Sequence, residues 1–132
     1  MSELLHRQVH PEQLKLDGGP TSGVVIPSRA AFTPSAAHGY MLSTRRNSAV
    51  SARDAYETSG IESAGTWSIA VSDASGLSLP CLDDSAIGGN PPGHASIDFN
   101  GLASRKARER AGASLRAAAV LRGPTYCPGG AP

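Results

Sequence analysis

Large apolar side chains are scarce in this sequence. Leu, Ile, Val and Phe together number 24 of the 132 residues, while Ala alone contributes 20. A share that small sits just under the level of roughly 20% associated with disorder. The usual companion of disorder, a high net charge, is also missing, because 12 basic and 11 acidic side chains leave +1. The expectation is a folded but lean domain with long irregular segments around a small core. A partner protein or a second copy of the chain would supply the burial that such a core lacks.

Other absences exclude whole classes of function. No run approaches 18 apolar residues, and "MSELLHRQVH" lacks the apolar core of a signal peptide, so no membrane contact and a cytoplasmic location are expected. Two cysteines, Cys81 and Cys127, do not make a disulfide framework, and both are expected to be free thiols. No G-x-S-x-G elbow is present, and neither "IGGNPPGH" nor "GGPTSG" carries the lysine and following helix of a phosphate loop. Asp83 and Asp84 read as a solvated turn. The four histidines have no Cys or carboxylate at ligand spacing. On one strand His6 and His10 would stand about 13 Å apart, too far to share an ion. No metal and no cofactor are expected, and enzymatic activity is not the favoured reading.

What is present points to a small α+β domain. Residues 4–9 alternate like a strand that stops at Pro11, and "PEQL" makes a tight turn. Residues 17–40 form a long Gly/Pro/Ser-rich loop, anchored by Val24, Val25, Ile26 and Phe32. "YMLST" offers a second strand. "SARDAYETSG" predicts a short helix, with Ser51 capping its start, Asp54 at the reciprocal capping position and Gly60 past its end. "GTWSIAV" and "HASIDF" are the clearest strands. In the second of these, His94, Ser96 and Asp98 share one face and Ala95, Ile97 and Phe99 the other. No regular element is predicted over residues 72–93. From Leu102 to Leu121 the pattern is helical, with Ala103, Ala107, Ala111, Ser114, Ala118 and Leu121 on one arc. Gly112 inside that helix marks a bend or a close contact. The predicted architecture is a small, mainly antiparallel sheet with a short middle helix, a longer basic C-terminal helix and long loops. Residues 1–123 make a single domain, and residues 124–132 a flexible tail.

Charge is unevenly spread. Residues 1–101 hold 6 basic and 10 acidic side chains, whereas residues 102–132 hold 6 basic and 1 acidic. The cations Arg105, Lys106, Arg108 and Arg116 lie outside the apolar arc of the last helix. Their spread over more than half the circumference, without alternating aromatics, fits a solvated face or an acidic protein partner better than nucleic acid.

"RQVHP", "AFTP", "LS", the Trp67 strand, "HASIDF" and a basic helix ending in "RG" together resemble a family of small bacterial proteins. Members share R-Q-x-H-P, A-F-x-P, H-A-x-I-D-F and a Lys/Arg/Ala helix ending in R-G. The resemblance implies no activity, so it assigns no catalytic residue. It marks "HPEQL" and "HASIDF" as structural landmarks.

The leading expectation is a non-enzymatic accessory or protein-interaction domain of a bacterial cytoplasmic system. A second is a small enzyme or a binder of an anionic, nucleotide-like ligand, with His6, Arg7, His10, His94 and Asp98 gathered around one pocket. A third is weak nucleic-acid binding through the terminal helix.

Overall fold

The computed structural model describes residues 3–16 and 25–128. Eight strands and three α-helices follow in the order β1 (Leu4–Gln8), β2 (Leu14–Leu16), β3 (Val25–Pro27), β4 (Met41–Arg46), α1 (Ala52–Glu57), β5 (Thr66–Ala70), α2 (Val71–Ser75), β6 (Cys81–Asp83), β7 (His94–Asp98), α3 (Arg105–Arg122) and β8 (Pro124–Tyr126). Six strands form one antiparallel sheet in the order β6-β7-β4-β1-β5-β8, and β2 pairs with β3 beside it. The α+β class and the antiparallel sheet are as the sequence predicts.

Register assigns each strand its two faces. Leu5 stands opposite Ile69, Arg7 opposite Trp67, and Leu42 opposite Ile97. Leu5, Leu42, Trp67, Ile69 and Ile97 share the face on which Phe32, Ala74, Leu115 and Ala119 pack, together with Phe99 and Val9, into one core. The other face carries His6 opposite Ser68 and His94 opposite Arg45. Helix α1 covers part of it, where Thr66 Oγ1 donates to the Ala52 carbonyl at 3.0 Å. Ser51 caps α1 as predicted, its Oγ accepting from Asp54 N–H.

Helix α3 starts at the cap Ser104, whose Oγ accepts from Ala107 N–H. Its buried face is Ala111, Gly112, Leu115 and Ala119, not the arc running from Ala103 to Leu121. Leu121 is 90% exposed. Counting small residues misplaced the stripe. Leu115 is the only large apolar side chain the helix buries completely, and it sets the orientation. Gly112 is the close contact. A Cβ there would run into Thr33 and lie 3.0 Å from the Phe32 carbonyl oxygen.

Three further expectations are corrected. The long loop holds β3 and two 3-10 turns, Arg29–Phe32 and Ala36–His38, with Ile26 and Phe32 buried but Val25 exposed; Val24 lies outside the described residues. Residues 72–93 contain most of α2 and all of β6. Val71 leaves the strand because Asp73 Oδ2 accepts from the Ala70 N–H, and α2 starts there. The tail does not begin at 124. Pro124–Tyr126 pair with β5, and Thr125 Oγ1 donates to the Thr66 carbonyl; residues 129–132 lie outside the described residues.

Helix propensity alone favours Gly112→Ala by about 1 kcal/mol. Crowding at Thr33 reverses the sign, since inserting a methyl into a closed contact costs about 1–3 kcal/mol. Urea unfolding should show Gly112→Ala destabilised, and a gain in stability would refute the contact.

Candidate functional site

Two concave regions lie on either side of residues 28–36. The larger is a groove of about 820 Å³ between that segment and the first half of α3. Lys15, Arg29, Arg105, Arg108 and Arg116 line it, with Glu109 as the one carboxylate. Glu109 is shared between Arg105 at 3.2 Å and Arg29 at 4.0 Å. The Arg108 guanidinium lies 4.1 Å from the centroid of the Tyr40 ring, a cation–π contact. Tyr40 is held at φ 56°, in the left-handed region that costs a non-glycine residue on the order of 1–2 kcal/mol. Arg116 donates to the Pro27 carbonyl at 2.8 Å. Three of the four basic residues singled out from the sequence therefore reach the groove. Lys106 is exposed and is not among its lining residues.

The second region opens where two strands part. Strands β1 and β4 pair only at Leu5↔Arg46 and His6↔Arg45. Beyond that point Arg7 spans the gap, its Nε donating to the Ala31 carbonyl at 2.9 Å and an Nη to the Ser43 carbonyl at 3.1 Å. Two adjoining cavities of about 430 and 210 Å³ share Arg7, Gln8, Ser43 and Ile61. His10 and His38 line the larger, while His6 and His94 line the smaller. All four histidines thus ring the opening around Arg7. His38 escaped the sequence reading because it lies far along the loop from any strand pattern.

Most of these histidines are already engaged. His6 is 3% exposed. Its Nε2 donates to Asn47 Oδ1 at 3.0 Å, and its Nδ1 lies 2.7 Å from Ser68 Oγ. Ser68 Oγ in turn meets Thr125 Oγ1 at 2.8 Å. His10 Nδ1 accepts from the Glu12 N–H and caps the 3-10 turn Pro11–Gln13. His94 Nδ1 donates to Asp84 Oδ1, and Ser96 Oγ donates to Asp84 Oδ2. Burial alone would raise the Asp84 carboxyl, but the bonds from Ser96 and His94 outweigh it and hold it below the usual carboxylate range.

Asp84 is therefore not the solvated turn residue of the sequence reading. No spacing rule connects it to a histidine ten positions on. Asp98, grouped with His94 from the strand pattern, is instead an end cap, its Oδ1 accepting from the Asn100 backbone and amide. Ser96 bonds Asp84 rather than His94, so no serine nucleophile is relayed through the imidazole. Among the described residues no group of three His, Cys, Asp or Glu side chains is placed to hold a metal ion. Both cysteines are free, and burial pushes the Cys81 thiol up. Among the described residues no helix is long and apolar enough to cross a membrane.

Burial, assisted by the nearby positive charge of Arg45, draws the His6 pKa below its ordinary value. The unfolded chain then takes up a proton near pH 6.5 while the folded one resists. Stability is full above that pH and falls as pH drops toward the folded value, by at most about 1.4 kcal/mol per pH unit for one group. Urea titrations across this window should show a shallower slope for His6→Gln than for the parent chain. Equal slopes would remove His6 as the cause.

Compared with protein-family models, curated proteins and solved structures, the chain matches none.

Proposed function

We propose that the chain is a non-enzymatic interaction domain that grips an acidic segment of a protein partner in the groove between α3 and residues 28–36. One observation carries this reading, the gathering of five cationic side chains against the single carboxylate of Glu109. Lys15, Arg108 and Arg116 belong to no ion pair among the described residues; Arg108 and Arg116 each spend one donor on a backbone carbonyl, of Leu102 and of Pro27, and their charges are left to meet carboxylates. Ser28, Thr33 and Ser35 add neutral polar groups along the same wall. A peptide suits the groove better than a nucleic acid. Tyr40 is the one aromatic in the lining, and Arg108 already covers its ring, so bases find no stacking platform. The acidic excess of residues 1–101 also repels a long polyanion that extends past the groove.

Fluorescence anisotropy with a labelled glutamate-rich peptide tests the reading, beside a single-stranded RNA of equal charge. The peptide should bind, and should weaken as salt rises. The double variant Arg108→Ala, Arg116→Ala should bind about tenfold more weakly or worse, since a hydrogen bond to a charged group contributes about 1.5–3 kcal/mol. Tighter binding of the RNA, no binding of the peptide, or undiminished binding by the double variant would each overturn the proposal.

A further inference from the structure

Arg7 is half-buried where β1 and β4 part, and its charge belongs to no ion pair among the described residues. Burial pushes its pKa down to about 10, which still leaves it protonated at neutral pH. Arg46, on the same strand face at the other end of the β1–β4 pairing, shows the contrast. It meets Glu3 Oε1 at 2.8 Å and Asp83 as well. None of the ion pairs among the described residues includes Arg7. Two backbone carbonyls satisfy two of its five N–H groups, but a carbonyl dipole does not neutralise a charge. Arg7 is among the lining residues of both cavities of the strand opening.

The surroundings narrow the class of anion. The larger cavity, at about 430 Å³, falls within the size range of small-molecule sites. Its lining includes Pro34, Met41 and Ile61, and Arg7 is its only fixed charge. His10 supplies no free acceptor at Nδ1, which caps the 3-10 turn. One cation, with neutral polar groups such as Gln8 and Ser35 beside these three apolar side chains, fits a monoanion attached to a small organic body. A polyphosphate would demand more positive charge than this.

We propose that this cavity binds a small organic monocarboxylate, its carboxylate held by Arg7 and its apolar body laid on Pro34, Met41 and Ile61. The site is separate from the basic groove, and it stands or falls independently of the acidic-peptide reading.

Calorimetric titration of the full chain with straight-chain monocarboxylates tests it, with the matching alcohols and inorganic phosphate as comparisons. Affinity should rise about fourfold per added methylene until the cavity is filled, following ~0.8 kcal/mol for each buried CH₂. The alcohols should bind at least tenfold more weakly, and phosphate more weakly than the best carboxylate. Arg7→Gln should abolish binding, but it also removes the bonds to Ala31 and Ser43 and can unfold the chain. His38→Glu provides the second variant. His38 is exposed, and its side chain makes none of the described hydrogen bonds. The new carboxylate at the cavity rim should weaken the ligand about tenfold, whereas Lys106→Ala, at an exposed residue that lines neither concave region, should leave it unchanged. Absence of carboxylate binding overturns the proposal. So does equal binding of the alcohols, tighter binding of phosphate, or full affinity in His38→Glu.

Discussion

Helix α3 can approach the Arg29–Phe32 turn only because residue 112 has no side chain. That approach organises the rest of the molecule. It seats Phe32, fully buried, beneath the helix and fixes the path of residues 28–36 across the sheet. With large apolar residues in short supply, close backbone packing replaces side-chain bulk as the means of closing the core. Arg7 and Arg116 then tie the segment down, through the Ala31 and Pro27 carbonyls, from opposite sides. The segment is irregular in outline, but a helix, a strand and two guanidinium groups hold it in place.

Regular elements were legible in the sequence where apolar alternation was strong. The strands around Trp67 and Ile97, the Ser51 cap and the long basic helix stand where the pattern put them. Short strands were not legible. Leu14–Leu16, Val25–Pro27 and Cys81–Asp83 hold three residues each, too few for alternation to register, and only pairing across space defines them. Pro124–Tyr126 looked like a tail because Gly123 and Pro124 end a helix. The same residues open an edge strand once Thr125 finds Ser68 and Thr66. The orientation of α3 was hidden for a different reason. A stripe of alanines is nearly as good on one arc as on the next, and a single leucine decided between them.

The polar residues were legible as a group and not as individuals. The sequence reading grouped His94 with His6, Arg7 and His10 around one pocket, and cross-strand register sets His6, Arg45 and His94 side by side. It did not connect them to Asp84 or Asn47, which come from turns and hydrogen-bond His94 and His6. The apparent constellation resolves into structural work by His6, His10 and His94, leaving one guanidinium with an unmatched charge. A charge count per residue pointed to the terminal helix, but the concave setting of its arginines depends on Lys15, Arg29 and Tyr40, which lie far away along the chain.

Ala30, Thr33, Pro34 and Ser35 line both the basic groove and the larger cavity beside Arg7. The two compartments are therefore divided by a partition one segment thick. Any occupant that displaces this partition on one side alters the free energy of occupancy on the other, and thermodynamic reciprocity makes the effect equal in both directions. Mutual influence between two distinct occupants thus needs no motion of the sheet and no relay through the core.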